Sequence, residues 1–228
     1  MKAIRLSFIQ MLRFVRSDKM LFVSCFVPLL AGLFFKFALP AIKIEAVRPY
    51  YGMIDLFYSA LAPTMFCFAA AMVILEEHDD HIGNYLFITP LGKEGYLISR
   101  ICIPAIAAFA MTLVLLPIFK LTDLSFAELF FVSVTGALQG AIIGLLIVTL
   151  STNKLEGMAV TKLSTLTILG VSVPYLIPGR LQFVVFFLPS FWIGKAVCDH
   201  RIIYVIPSVL TAFVWITLLM KKFMKKIS

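Results

Sequence analysis

Apolar residues gather in six long blocks along this chain, at approximately Met20–Leu39, Met53–Leu75, Leu97–Phe119, Phe126–Leu150, Met158–Ile177 and Ile202–Met220. A helix crossing a hydrocarbon core roughly 30 Å thick needs about 20 mostly apolar residues. The blocks therefore predict six transmembrane helices and an all-α polytopic membrane protein. Ahead of them lies a stretch of a different kind. On a helical wheel Ile4, Phe8, Met11, Leu12 and Val15 fall within a stripe about 100° wide, while Lys2, Arg5, Arg13 and Arg16 cluster beside and opposite it. Leu6, Ile9 and Phe14 interrupt the stripe. Residues 1–19 are expected to form an N-terminal interfacial helix. It is read as retained and not as a signal peptide, because a patterned lead of this length is unusual for an n-region.

A seventh apolar stretch, Leu181–Gly194, is too short to cross. Pro178-Gly179 sets it apart and Pro189 breaks it. Inside a bilayer its backbone must be satisfied by protein, so residues 181–200 are expected to form a short re-entrant segment before the sixth helix, packed on the others at the outer face.

Composition sharpens this. Hydrophobic residues make up 61% of the chain and charged residues 14%, with mean hydropathy +1.02, against about 45–50% and about 25% in soluble domains. No extramembrane domain of any size fits, and residues 1–228 read as a single membrane domain. The net charge of +8 is concentrated at the ends, with Lys2, Arg5, Arg13, Arg16 and Lys19 at one and Lys221, Lys222, Lys225 and Lys226 at the other. By the positive-inside rule both termini are expected in the cytoplasm. Lys93, Arg100, Lys154 and Lys162 then fall on the same side. Lys36, Lys43, Arg48, Lys120, Arg180, Lys195 and Arg201 fall outside. The basic charge is thus read as membrane anchoring and not as a nucleic-acid surface.

Other features are generic. Gly136, Gly140 and Gly144 recur every four residues, which places three glycines on one face of the fourth helix for close packing, within the chain or between copies. Pro28, Pro63, Pro104, Pro117, Pro174 and Pro207 are expected to kink or end helices. The four cysteines show neither Cys-x-x-Cys nor metal-ligand spacing.

Polar chemistry concentrates in one place. Residues Glu76 to Gly95, between the second and third helices, hold five of the twelve acids and two of the three histidines. His78, Asp79, Asp80 and His81 offer metal-ligand atoms, but they do not form His-Glu-x-x-His, and no further His or Cys lies nearby to close a shell. A docking surface is the better reading. Glu76 and Glu77 end the second helix, Gly83 breaks the chain, and Tyr85, Leu86, Phe87 and Ile88 form a short amphipathic helix ended by Thr89-Pro90. Aromatic and aliphatic side chains exposed on such a segment point to a partner or to the headgroup layer.

Two acids, a glycine, Asn-Tyr-Leu-Phe-Ile, Thr-Pro-Leu and then Arg100 opening the next helix resemble the cytoplasmic coupling segment of ABC transporter permeases of the type-2 exporter family, drug- and antibiotic-export-like. The family also has an N-terminal interfacial helix, six spans and a short re-entrant hairpin before the last. Where it commonly has Arg after the first acid, this chain has Glu77. The resemblance implies that Glu76, Glu77, Gly83, Tyr85, Leu86, Phe87, Ile88, Thr89 and Pro90 couple the permease to an ATPase. The chain contains no Gly-x-x-x-x-Gly-Lys-[Ser/Thr] loop. ATP and Mg²⁺ are therefore expected in separate cytosolic ABC ATPase subunits, with no cofactor in this chain. A second permease, identical or a sister, and a bacterial plasma membrane are implied likewise.

Two rival classes fare worse. An ion-coupled secondary transporter needs ionisable groups near the midplane, whereas Lys36, Asp55 and Glu128 are expected near outer helix ends, with only Gln139 and Lys162 deeper or further in. An intramembrane enzyme needs a membrane-embedded His or metal site, and His78, His81 and His200 are all expected outside the bilayer. The expectation is an ATP-driven exporter working by alternating access on a hydrophobic or amphipathic drug, peptide or lipid.

Overall fold

The computed structural model describes residues 2–42, 45–80, 82, 85 and 91–226. Among the described residues ten α-helices carry the fold: α1 Lys2–Ser17, α2 Lys19–Ile42, α3 Tyr51–Asp79, α4 Gly92–Leu97, α5 Ile103–Phe119, α6 Phe126–Leu150, α7 Lys154–Thr165, α8 Val173–Leu176, α9 Pro189–Cys198 and α10 Val205–Lys226. There is no strand among the described residues. Six stretches of the described residues are long and apolar enough to cross a membrane: Lys19–Ala38, Val47–Asp79, Gly95–Phe119, Phe126–Leu150, Lys154–Leu176 and Ile202–Lys226. The second runs four residues past its expected end, so Glu76, Glu77, His78 and Asp79 form the last turn of α3.

Two helices make the core. The central stretch of the second span is 83% buried and that of the fourth 72%, against 17–28% in the other four, so α3 and α6 lie inside and the rest surround them. The surrounding helices turn Phe22, Leu30 and Phe34 of α2, Ile106 and Val114 of α5, and Leu210, Phe213 and Leu218 of α10 outward. So large an apolar exterior is stable only against hydrocarbon, and the chain is an integral membrane protein.

The core pair runs in parallel, in a register set by the glycines. A Cβ on Gly136 would lie 2.8 Å from the Ser59 carbonyl oxygen, one on Gly140 2.6 Å from the carbonyl carbon and Cβ of Pro63, and one on Gly144 3.1 Å from the Cys67 oxygen. Two four-residue rows, 59–63–67 and 136–140–144, thus meet backbone to backbone. The glycines pack within the chain.

Span five is interrupted: after α7 the chain tightens at Leu166–Ser172 before α8. Beyond it come a tight helical turn at Arg180–Val185 and then α9. Pro189, read from sequence as a break, instead opens α9, where its missing N–H costs no helical bond. Gly194 lies inside α9, and a Cβ there would meet the Val171 oxygen at 2.5 Å. At ten residues α9 is about 15 Å long, too short to span.

Candidate functional site

The end of the bundle that carries both termini is held by buried charges. Arg100, 1% exposed, sits at the start of the third span. Its guanidinium grips Glu77 in a two-point contact, Nη2 to Oε1 at 2.5 Å and Nε to Oε2 at 3.1 Å. Its remaining nitrogen, Nη1, donates to the carbonyl of Ser7 at 2.6 Å and to the Ser7 hydroxyl at 3.1 Å. Tyr96 donates its hydroxyl to Glu77 Oε2 at 2.9 Å, and its ring lies 5.6 Å from the guanidinium carbon. Ser99 hydrogen-bonds the Ser7 hydroxyl at 3.0 Å and donates to the Tyr96 carbonyl. One arginine thereby joins α1, α3 and the α4–α5 junction. Only a planar fork with several donors can do this; a lysine ammonium lacks the geometry.

The local backbone is shaped for that arginine. Residues Ile98–Cys102 form a widened π turn, with the N–H of Ile103 bonding to the carbonyl of Ile98, five residues back. Pro104 has no N–H to offer the carbonyl of Arg100, which disfavours a regular α turn at this point. Such insertions are frequent at functional positions.

A second knot lies nearby. Lys154, at the start of α7, reaches Asp18 at 2.8 Å and Glu76 at 2.5 Å, and its backbone N–H donates to Asp79 at 3.1 Å. Asp18 also caps α2, accepting from the N–H groups of Met20 and Leu21. The Lys154 ammonium, with those two N–H groups, holds the Asp18 carboxyl below the usual carboxylate range against the opposing effect of burial. A depressed carboxyl stabilises at neutral pH and loses that contribution as pH falls through its own folded titration. Asp18→Asn keeps the cap and removes the ion pair. It is expected to cost under about 1 kcal/mol at pH 7 and to melt like the parent once both are acidified below that range. Thermal melts at the two pH values measure this.

At the opposite end Asp55, 2% exposed, accepts from the N–H groups of Leu121 and Thr122 and from the Thr122 hydroxyl at 2.8, 2.9 and 2.5 Å, fastening the loop between α5 and α6. Its carboxylate is thus engaged by the protein. Glu128 forms a capping box with Ser125 at the start of α6. Lys195, expected on the outer side, is 8% exposed, packed on Phe183 and Tyr204 and paired with Asp199 at 3.1 Å.

Of the residues expected to couple to a partner, Glu76 and Glu77 close α3 but differ in environment. Glu76 is half-buried beside Lys154, whereas Glu77 is buried, so the two acids do not share one exposed face. Tyr85 is helical and 69% exposed. Gly83, Leu86, Phe87, Ile88, Thr89 and Pro90 lie outside the described residues, as does His81. His78, Asp79 and Asp80 are exposed. Sequence reasoning missed Ser7, Tyr96, Asp18 and Lys154. The available signals were the small residue Ser7 beside the apolar stripe of α1 and the lone acid Asp18 between two helices.

The described residues thus form an all-helical bundle of six membrane-length stretches around a two-helix core with a buried charge knot at one end, the architecture of a polytopic membrane protein. The particular family follows from comparison: a family model described as "Fluoroquinolones export permease protein Rv2686c-like" matches residues 11–220. The chain belongs to that family and is an export permease, in accord with the likeness to ABC export permeases at residues 76–100. No curated protein and no solved structure matches it.

Proposed function

We propose that this permease is the membrane half of an ATP-driven exporter, energised by separate cytosolic ATPase subunits that dock on residues 76–95. Both termini then lie in the cytoplasm, and α1 lies along the inner leaflet with Arg5, Arg13 and Arg16 exposed toward the headgroups. The cargo is a fluoroquinolone or a similarly amphipathic drug, the kind named in the family description. A second permease, identical or a sister, completes the transport path, which opens alternately to either side.

The observation that carries this reading is the position of Arg100. The proposed docking segment begins in the last turn of α3, where Glu77 is held by Arg100, and ends just before Tyr96, whose hydroxyl donates to Glu77 and whose ring lies against the guanidinium. A push on the segment cannot move one end without moving the other, and through Ser7 the interfacial helix follows. The knot therefore turns motion of an ATPase into movement of spans two and three together.

The test is reconstitution with the candidate ATPase in vesicles. The permease alone is expected to turn over no ATP, and drug efflux is expected only with the ATPase present. Tyr85→Ala and Phe87→Ala are expected to weaken ATPase binding by about 2 kcal/mol, as aromatic anchors do. His78→Ala with His81→Ala is expected to leave coupling intact. Normal co-purification and efflux in both aromatic variants would remove the docking role, and Zn²⁺-dependent activity lost in the histidine pair would replace it with a metal site.

A further inference from the structure

Beside the break in span five, at Leu166–Ser172, lies Gln139 of α6, which is 4% exposed. Its Nε2 donates to Thr167 Oγ1 at 2.7 Å. The orientation of the amide follows from the partner: the Thr167 hydroxyl proton is already directed to the Ser164 carbonyl at 2.6 Å, so toward Gln139 it can only accept. The amide oxygen must then face away from Thr167. That atom, Gln139 Oε1, is buried and has no hydrogen-bond partner among the described residues. Buried acceptors are nearly always matched.

Gln139 lines a cavity of about 10 Å³ together with Ser59, Thr135, Gly136, Pro189 and Ser190. The hydroxyls around it have no protons to offer. Ser59 donates to the Leu56 carbonyl at 2.7 Å, Thr135 to the Phe131 and Val132 carbonyls at 2.9 and 3.1 Å, and Ser190 to the Thr167 carbonyl at 2.5 Å. The carbonyl of Ser59 receives no α-helical bond either, because the residue four places on is Pro63. The hydroxyls and the Gln139 amide oxygen present lone pairs at this spot, and none of the lining residues is a carboxylate. A cation entering would shed its hydration shell without gaining an opposite charge, an unfavourable exchange in a low-dielectric interior. A small neutral molecule with two protons to donate meets no such penalty, and the volume admits one.

We propose that a single water molecule is bound here as a permanent part of the permease, donating to Gln139 Oε1 and to one of the oxygens on α3 or α9. It ties α6 to α3 or to α9 beside the irregular stretch of span five, where backbone inside a membrane depends on internal partners. The site owes its existence to Gly136 and Pro63: the first leaves room and the second withholds a donor.

Radiolytic footprinting of the intact permease in lipid nanodiscs tests this, since bound water activated in place oxidises the side chains beside it. Leu56 and Ile193, 2% and 7% exposed, are expected to be labelled well above other residues of equal burial, and the labelling is expected to vanish in Gln139→Met. Background labelling of both in the parent would overturn the proposal. Thermal stability gives a second readout. If the amide oxygen is matched by water, Gln139→Met is expected to melt several degrees lower; if it is unmatched, its removal would leave the melting temperature unchanged or raise it, which would also overturn the proposal. Exchanging choline chloride for sodium chloride is expected to leave the parent's melting temperature unchanged. A sodium-dependent rise absent from Gln139→Met would replace the water with a cation.

Discussion

Arg100→Met is expected to destabilise the permease by about 3–5 kcal/mol, the usual consequence of stripping one partner from a buried ion pair. The carboxylate of Glu77 would remain beneath α1 with the Tyr96 hydroxyl as its one remaining polar contact from this knot, and the Ser7 carbonyl would lose its donor. Arg100→Lys keeps the charge and is expected to recover only part of the loss, because an ammonium cannot meet both carboxylate oxygens and Ser7 at once. Glu77→Met combined with Arg100→Met is the informative variant. With both charges gone no uncompensated ion remains, so the double variant is expected to melt well above Arg100→Met alone. Its transport is nonetheless expected to fail, since the connection from the 76–95 segment to α1 runs through the pair. Melts in nanodiscs and drug efflux with the ATPase present separate the two effects. A double variant that transports normally would show that the knot holds the fold and carries no motion.

The second large effect is expected at the core pair, in a graded series. Gly140→Ala would place a methyl 2.6 Å from the carbonyl carbon and Cβ of Pro63, Gly136→Ala 2.8 Å from the Ser59 oxygen, and Gly144→Ala 3.1 Å from the Cys67 oxygen. At Gly140 the obstacle is the backbone and ring of a proline, which cannot rotate aside, so α3 and α6 must separate along buried surface. Overpacking of this kind costs about 1–3 kcal/mol, with Gly140→Ala near the top and Gly144→Ala near the bottom. Gly140→Leu is expected to prevent assembly altogether. Melting temperatures in the order Gly144→Ala, Gly136→Ala, Gly140→Ala from highest to lowest support parallel contact as the reason for the glycines. Equal melting temperatures would point to glycine's flexibility instead, since that penalty is alike at all three positions.

The irregularities of the interfacial helix show where one-dimensional reading stops. From the wheel, Leu6, Ile9 and Phe14 interrupt the stripe and Ser7 falls just outside its edge. In the fold Ser7, Met11 and Val15 are the buried line, and Leu6 and Leu12 share the outward side with Arg5, Arg13 and Arg16. Hydrophobic spacing puts Met11 and Val15 on the inward side, but it places Leu12 there too and leaves out Ser7, whose burial depends on Arg100. Glu77 makes the same point. As a letter beside Glu76 it is one of two equivalent acids, yet a rotation of 100° along α3 turns one toward Arg100 and the other toward Lys154.

What the sequence determined by itself about this permease is whatever depends on composition and local period: six spans, because crossing hydrocarbon requires long apolar runs with internally satisfied backbone; a basic amphipathic helix ahead of them; and a polar segment between the second and third. The glycine row was equally visible. That it faces Ser59, Pro63 and Cys67, and that Gln139 comes beside Thr167 and Ser190, only the tertiary structure decided. So too for Arg100, whose partners stand 23 and 93 positions away in the chain. The physical reason is the same in each case: pairing of buried polar groups is set by which helix faces meet, and in a chain apolar on nearly every face the hydrophobic pattern leaves that choice to packing.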